Sequence, residues 1–484
     1  MGQKKENMEQ KIENMEQETG NVKQKTRPEQ ERTIAALATP PGAGGIAIVR
    51  ISGEHAYEVA GTVFSPKDPS KDLRRAHGYT ALFGHFVQDG VICDEVVALC
   101  FRAPHSYTGE DVVELSCHGG SAVSARLLRA CYAAGAAPAA PGEFTRRAFL
   151  SGRISLTQAE AVMDIIGASS RQGADAAAAV MEGALYKKIE SVRAMLIPLA
   201  GHIAAAADYP EEDVPELAGA VVSDTLCGAK SVLDALIAGY DTGMVLRRGV
   251  RTVIAGSPNV GKSTLLNLLS GFERAIVTPV AGTTRDVVEQ EIQLADVRLL
   301  LADTAGLRET DDVVEAEGIR RSYQHLERAG LVLAVFDGSA PLSACDLALA
   351  EKCAGRPAVA IVNKTDLAQK IDADVLRPYF DSIIAISARD AAFLPTVERA
   401  VSEALRLAQI DPDACLLANE RQLAAARAAR DALHDALDAL QNGMTIDAVG
   451  VCIDDALHAL YMLTGENATD DVIDEVFSKF CVGK

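Results

Sequence analysis

The run from Gly256 to Ser263 constrains this chain more than any other segment, and it reads Gly-Ser-Pro-Asn-Val-Gly-Lys-Ser. It follows an apolar run, Thr252 to Ala255, and precedes an amphipathic run that starts at Thr264. A glycine-rich loop between a strand and a helix lets backbone N–H groups and the helix N-terminus surround a phosphate. In such a loop the lysine, Lys262, bridges the β and γ phosphates, and the final serine ligates Mg²⁺. The run therefore predicts a phosphate-binding loop at the edge of an α/β sheet.

Three further motifs follow apolar runs, and they are Asp303 to Gly306, Asn363 to Asp366, and Ser387 to Arg389. The carboxyl ends of the strands in a doubly wound sheet meet at one edge, so these groups can converge on one nucleotide. Asp366 can accept hydrogen bonds from the N1–H and the amine of guanine, whereas adenine would leave those lone pairs unpaired. Together the motifs predict GTP or GDP binding. The predicted contacts are Asn259, Val260, Gly261, Lys262, Ser263, Thr264, Thr278, Thr283, Thr284, Asp303, Thr304, Ala305, Gly306, Asn363, Lys364, Asp366, Ser387, Ala388 and Arg389.

The loop from Thr278 to Asp286 has the features of a nucleotide-sensing switch, and Thr284 is predicted to ligate Mg²⁺ together with Ser263. Leu307 stands where many small GTPases keep a glutamine that orients the attacking water. Leucine cannot do this, so either hydrolysis is very slow or another group contacts the water. Acidic residues between positions 309 and 317 are candidates, although such residues are also typical of a solvated loop and helix start.

The remaining sequence indicates several domains. Short β-branched runs with glycine and proline between them predict an α+β domain near the N-terminus. Alternating apolar and helical segments predict a doubly wound parallel sheet, and helical composition lies on both sides of it. Each helical half has a one-sided apolar stripe that needs a partner, so we expect a helical domain interrupted by an inserted α/β P-loop domain. The predicted segments are a charged, disordered extension (1–32), the N-terminal domain (33–150), the two helical halves (151–245 and 409–484) and the inserted domain (246–408).

The composition fits a folded multidomain protein of a reducing compartment. At 484 residues the chain has room for about three domains. Its net charge of −20 disfavours non-specific binding to nucleic acid, so an RNA contact needs a local patch or a partner. The ten cysteines form no Cys-x-x-Cys pair and no cluster at metal spacing. No run of about eighteen apolar residues occurs, so we expect a cytoplasmic protein that does not span a membrane.

The phosphate-loop asparagine Asn259, the Gly-Thr-Thr-Arg loop at 282–285 and Leu307 occur together in one known family. The chain resembles the MnmE (TrmE) family of tRNA-modification GTPases in these residues. The resemblance extends from Thr33 to Lys484, through motifs at 33–53, 107–111, 118–120, 141–150, 156–161, 209–213 and 480–484.

The resemblance implies a homodimer that works with an FAD-dependent MnmG-type partner on tRNA. The pair would add carboxymethylaminomethyl or aminomethyl groups to C5 of the wobble uridine (U34), with a one-carbon unit from 5,10-methylene-tetrahydrofolate. The N-terminal domain would bind this folate or its 5-formyl form. Carried over from the family, catalytic roles fall on Glu315, which positions water, and Arg308. K⁺ ligands fall on Asn259, Thr278, Val280 and Thr283, folate contacts on Arg50, Glu114, Arg153 and Lys484, and a thiol of unassigned role on Cys481.

Four of these positions stay open. Asn259 could simply shape the phosphate loop, and Cys481 could be a packed small hydrophobic residue. The family usually has lysine where this chain has Arg153, which keeps the charge but changes the geometry. Without the resemblance, the alternation within its strand predicts that Glu114 is an exposed polar residue. The alternative function is a regulatory GTP switch in ribosome or complex assembly. Folate binding would distinguish the two, because a switch of that kind has no need for a folate site.

Overall fold

The computed structural model describes residues 32–168, 170–208, 218–271, 290–294, 297–301, 326, 329–405 and 417–484. These residues divide into two compact units. One extends to Glu160 and includes Gly465–Lys484, and the other is Ala161–Thr464.

The first unit is built on a seven-stranded sheet with the order β3-β4-β5-β6-β2-β1-β7. Neighbouring strands are antiparallel except β1 and β7, which are parallel. The strands are β1 (Ile34–Leu37), β2 (Ile46–Ser52), β3 (Phe64–Pro66), β4 (Thr80–Gln88), β5 (Val91–Phe101), β6 (Val112–His118) and β7 (Ala137–Pro138).

The two faces of this sheet are covered differently. Helices α1 (Ala56–Val63) and α2 (Ser121–Ala133) pack on the face that carries Val49, Ile51 and Leu115. Phe144 of helix α3 (Glu143–Leu150) packs in a smaller cluster with Ile34 and Ala36. Because side chains alternate along a strand, Arg50 and Glu114 lie on the face opposite the larger core. Helix α14 (Asp470–Ser478) also belongs to this unit.

The second unit contains a helical cluster that draws on chain before and after the inserted sheet. Its core includes Leu196 and Leu233 from the first stretch and Leu433 and Ile453 from the second, so the predicted interruption of the helical domain is confirmed. The helices are α4 (Leu156–Gly167), which begins in the first unit, α5 (Arg171–Met181), α6 (Ala184–Asp208), α7 (Gly219–Ala238), α8 (Tyr240–Arg248), α12 (Glu420–Gln441) and α13 (Ile446–Thr464).

Within the described residues, only Ala184–Ala206 of α6 is long and apolar enough to cross a membrane. Leu185, Ile189, Val192 and Leu196 of this helix are fully buried in the helical core. Packing in this core therefore accounts for the apolar composition of the helix.

The inserted domain has a six-stranded sheet with the order β13-β12-β11-β8-β10-β9. Its strands are β8 (Val250–Ala255), β9 (Gln290–Leu294), β10 (Val297–Leu301), β11 (Leu331–Asp337), β12 (Ala358–Asn363) and β13 (Ser382–Ala385). Helices α9 (Lys262–Ser270) and α11 (Leu394–Ala404) pack on one face and α10 (Ala344–Cys353) on the other. The doubly wound α/β fold is confirmed. The sheet is mixed, however, because the edge strand β9 is antiparallel to β10, and two residues separate these strands.

One arginine connects both chain crossings between the helical and α/β parts of the second unit. Arg247, at the end of α8 and just before β8, pairs with Asp164 of α4. It also donates a hydrogen bond to the carbonyl of Ala418, where the described chain resumes after the α/β domain (2.6 Å). Gly465–Lys484 belongs to the compact unit of the N-terminal sheet. The five segment boundaries drawn from the sequence stay predictions.

Candidate functional site

The phosphate loop leaves the end of β8 and enters α9 through two glycines that no other residue can replace without strain. Gly256 has φ 155°, and a Cβ placed there would lie 2.3 Å from the carbonyl oxygen of Val335. Gly261 has φ 103°, and its Cβ would lie 2.2 Å from Nδ2 of Asn363. Glycine is required at both positions because L-residues rarely adopt these angles and the neighbouring atoms leave no room.

Lys262 is held inside this loop. Its ammonium group donates to the carbonyl oxygens of Gly256 (3.0 Å) and Ser257 (2.8 Å). Ser263 and Thr264 lie in the first turn of α9, at the helix end that carries partial positive charge. Asn259 lies in the left-handed region with φ 62°, and its side chain is exposed. The loop thus offers a cation and helix N–H groups to a phosphate.

Asn363 joins the phosphate loop to the predicted guanine site. It is only 3% exposed, and its Nδ2 donates to the carbonyl of Val260 (2.8 Å). Its Oδ1 accepts the backbone N–H of Ala388 (2.9 Å). The hydroxyl of Ser387 donates to Oδ1 of Asp366 (2.9 Å), so the two predicted base-contact segments are in direct contact.

Lys364 sits on the same edge with φ 68°, and its ammonium group donates to Oδ2 of Asp337 at the end of β11 (2.6 Å). Burial opposes ionisation of Asp337. Hydrogen bonds from Lys364 and Ser339, with the Lys364 charge, outweigh burial and hold the pKa of this carboxyl below its usual value. Asp337 was not predicted as a site residue, although it ends an apolar run as the predicted carboxylates do.

Ten predicted residues lie outside the described part of the chain. They are Thr278, Val280, Thr283, Thr284, Asp303, Thr304, Ala305, Gly306, Arg308 and Glu315. The described geometry therefore covers the phosphate loop and the guanine side of the pocket.

A second cluster lies on the face of the N-terminal sheet opposite its larger core. Arg50 of β2 and Glu114 of β6 are partners in register, with Nε of Arg50 2.7 Å from Oε1 of Glu114. Their side chains are 14% and 17% exposed, so the exposed position predicted for Glu114 from alternation alone is wrong. The chain end also reaches this cluster, where the carbonyl of Gly483 accepts a hydrogen bond from Arg50 (3.5 Å).

Lys484 belongs to the same cluster. Burial, followed by the nearby charge of Arg50, lowers the pKa of its ammonium group below the usual value, while Glu114 opposes this effect. The chain end is held by a backbone hydrogen bond from Phe144 to the carbonyl oxygen of Lys484 (3.2 Å). Cys481 is exposed, and its carbonyl accepts the N–H of Gly142 (3.3 Å).

Aromatic rings complete the cluster. The Arg50 guanidinium lies 5.3 Å from the ring centre of Tyr107 and 5.5 Å from that of Phe144. The Arg153 guanidinium lies 5.6 Å from the Tyr107 ring and donates to the carbonyl of Ser106. Arg50 and Lys484 thus lie beside one carboxylate, Glu114, and Arg153 adds a third cation at the Tyr107 ring. This excess of positive charge beside two rings suits a planar ligand with an anionic group.

In the sequence, Tyr107 belongs only to a motif, and neither Phe144 nor Gly483 has a predicted role. The usable signal in the sequence is the glycine itself at position 483. The structure explains why glycine is needed there, because φ is 100° and a Cβ would lie 2.0 Å from the carbonyl oxygen of Leu37. Among the described residues, no group of three His, Cys, Asp or Glu side chains could hold a metal ion.

Comparisons with known proteins agree with this organisation. The family model of the TrmE N-terminus matches residues 33–153, and that of the MnmE helical domain matches residues 156–481. The tRNA modification GTPase MnmE of Symbiobacterium thermophilum is 42% identical over 459 residues, which cover 94% of this chain and 100% of that protein. Its counterpart in Acetivibrio thermocellus is 37% identical over 460 residues, with the same two coverages.

Solved structures similar to this chain include Era of Aquifex aeolicus, at 27% identity and a TM-score of 0.24. That match covers 38% of this chain and 66% of the Era chain. The G domain of FeoB from Methanococcus jannaschii is 26% identical with a TM-score of 0.24, and the match covers 32% of this chain and 98% of that domain.

The identity to full-length relatives and the match of both family models confirm the resemblance seen in the sequence. The chain belongs to the MnmE family of tRNA modification GTPases, and it is a GTP-hydrolysing enzyme that acts in tRNA modification.

Proposed function

We propose that this GTPase, with an FAD-dependent MnmG-type partner, adds carboxymethylaminomethyl or aminomethyl groups to C5 of the wobble uridine (U34) of tRNA. The one-carbon unit would come from 5,10-methylene-tetrahydrofolate. The observation that carries the proposal is the cluster of Arg50, Glu114 and Lys484 on the N-terminal sheet. An assembly switch offers no reason for such a cluster.

The chemistry of the cluster suits a folate. A carboxylate such as Glu114 can accept hydrogen bonds from the amide edge of a pterin. Arg50, Arg153 and Lys484 can attract the carboxylates of the glutamate tail, and the Tyr107 and Phe144 rings flank the guanidinium of Arg50. The folate supplies the one-carbon unit when bound, and the residues of this chain bind and orient it.

Binding of 5-formyl-tetrahydrofolate, measured by isothermal titration calorimetry on the full-length protein, tests this proposal. We expect Arg50→Ala and deletion of Lys484 each to weaken binding by about tenfold or more, because each removes a charge-assisted contact. Arg75→Ala is the matched control, since Arg75 is an arginine of the same unit with an 89% exposed side chain. No binding by the native chain, or equal binding by Arg50→Ala, would contradict the proposal.

GTP hydrolysis in this proposal uses residues of two G domains in a homodimer. Mg²⁺ would be held by Ser263 and Thr284, and K⁺ by Asn259, Thr278, Val280 and Thr283. K⁺ places positive charge against the phosphates, as an arginine finger does in other GTPases. The exposed position of Asn259 in the middle of the phosphate loop supports the K⁺ site. Glu315 would position the attacking water in place of a glutamine, and Arg308 would act in the same switch. Equal hydrolysis rates in KCl and NaCl would contradict the role of K⁺.

We place this activity in the cytoplasm. All nine cysteines in the described residues are free thiols, which agrees with a reducing compartment. The net charge of −20 also supports a partner or a local basic patch in tRNA binding, because uniform negative charge repels the phosphate backbone. Cys481 is exposed on the chain end that reaches the proposed folate site, and we propose that its thiol is functional. A Cys481→Ser variant that modifies tRNA at the native rate would contradict that role.

A further inference from the structure

A hydrogen bond connects the phosphate loop to a helix outside the nucleotide-binding motifs. The hydroxyl of Ser257 donates to Oδ1 of Asp346, at 2.7 Å. Ser257 is the second residue of the phosphate loop, and Asp346 lies in the first turn of α10, on the segment that follows β11. None of the motifs found in the sequence includes Asp346.

The carboxylate of Asp346 is held in place independently of the phosphate loop. Its Oδ2 accepts hydrogen bonds from the backbone N–H (2.9 Å) and the hydroxyl (2.7 Å) of Ser343. The N–H of Asp346 donates back to the Ser343 hydroxyl (3.2 Å), which completes a capping box. Buried Leu349 and Ala350 fix the rest of α10 against the sheet. The second oxygen, Oδ1, is thereby aimed at Ser257.

Ser257 is in turn linked to the lysine that binds the phosphates. Its carbonyl oxygen accepts a hydrogen bond from Lys262, as does the carbonyl of Gly256. The hydroxyl of Ser257 therefore connects Asp346 to the same residue whose carbonyl holds the Lys262 ammonium group. A carboxylate close to a phosphate site repels the phosphate, so a favourable effect of Asp346 on binding can come only from the orientation of the loop.

We infer that Asp346 is a positioning residue for GTP, which acts through Ser257 to hold the first half of the phosphate loop in its binding conformation. When this half is ordered before GTP arrives, the binding free energy is not reduced by the conformational entropy lost in ordering the loop. The inference concerns GTP binding alone and does not depend on the proposed folate site or partner.

Fluorescence titration with mant-GDP and steady-state GTP hydrolysis by the full-length protein test this inference. We expect Ser257→Ala, which leaves the capping box intact, to raise the Kd of mant-GDP and the KM of GTP about tenfold. We expect kcat at saturating GTP to stay within about twofold, since the chemical step uses other groups. Ser257→Thr keeps the hydroxyl and should restore native affinity.

Asp346→Ala should raise the same Kd by about the same factor, and the double variant should be no weaker than either single variant. Asp372→Ala is the matched control, because Asp372 also caps a helical turn of this domain through its carboxylate. We expect that variant to bind mant-GDP with native affinity. Thermal melts identify variants that fail to fold. Native affinity in Ser257→Ala, tighter binding in Asp346→Ala, or additive losses in the double variant would each overturn the inference.

Discussion

At the scale of single residues, the molecule depends on a few side chains whose neighbours come from distant parts of the chain. Gly261 is confined by Asn363, about a hundred positions later, and Arg50 contacts the carbonyl of Gly483 at the chain end. His118 is a third case, since its ring Nδ1 lies 2.6 Å from Oδ1 of Asp94 on the neighbouring strand. The backbone N–H of His118 donates to the other carboxylate oxygen (2.8 Å).

The His118–Asp94 pair predicts a pH dependence of stability. The hydrogen bond and charge of Asp94 raise the pKa of His118 above its ordinary value of 6.5. The stabilisation from His118 is then fully present below that value and is lost as the pH rises through the folded-state pKa. We expect the difference in Tm between the native protein and His118→Gln to be largest near about pH 5.5 and to shrink by about pH 8.5.

Differential scanning fluorimetry across this pH range measures the Tm of both proteins. His77→Gln is the control for the substitution itself, because His77 is an exposed histidine of the same unit. If the Tm difference between the native protein and His118→Gln grows towards alkaline pH, the predicted direction of the pH dependence is wrong.

At the scale of elements, helix α3 is joined to the N-terminal sheet by buried charges rather than by apolar contacts alone. Arg147 is 4% exposed and donates to Glu143, one turn earlier on the helix, at 2.8 Å. It also donates to Glu110 at 2.9 Å, and Glu110 accepts the hydroxyl of Ser52 from β2 (2.7 Å). Since buried ions need partners, this network determines how α3 lies on the sheet.

We expect Arg147→Met to destabilise the N-terminal unit by about 3–5 kcal/mol, because it removes the buried cation between Glu143 and Glu110 and leaves Glu143 with only the partly exposed Arg32 as a cationic partner. Native-state hydrogen exchange at amides of β2 and β6 measures the free energy of opening of this unit separately from the rest of the chain. Arg75→Met, at an exposed position, should change it by less than about 1 kcal/mol. A similarly small change in Arg147→Met would mean that these ion pairs contribute little to the packing of α3 on the sheet.

At the scale of the whole molecule, segments that are distant in the sequence share one compact unit or one core. Its last twenty residues belong to the compact unit of the N-terminal sheet. The helical core uses residues from both sides of the α/β sheet. Such an insertion keeps the nucleotide pocket on one folded body while two chain crossings, both contacted by Arg247, connect it to the helices.

Pairing of two G domains is the prediction that belongs to this scale. We expect the full-length protein to bring its G domains together with GDP and aluminium fluoride in KCl and not in NaCl, because K⁺ offsets the phosphate charge at the joint surface. Distances between spin labels at a G-domain position such as Cys345 give the readout. Identical distance distributions in both salts would contradict pairing through a cation.

The local motifs allowed much of the nucleotide site to be predicted. The phosphate loop, the Asn363–Asp366 segment and Ser387–Arg389 all follow strands of the predicted sheet. Their positions could be predicted because strand, turn and helix signals act over a few residues. The cluster of Arg50, Glu114 and Lys484 could be predicted only through the family resemblance, since alternation within β6 predicted an exposed Glu114.

The amino-acid order alone determined that a phosphate loop would form, that guanine would be preferred, and that helical sequence would be interrupted by an α/β domain. Tertiary structure alone decided that Lys484 would lie beside Arg50 and Glu114, that Asn363 would hold the phosphate loop, and that Asp346 would contact Ser257. The reason is physical. Backbone preferences and hydrophobic period depend on near neighbours, whereas burial and charge pairing depend on which distant segments share a surface after folding.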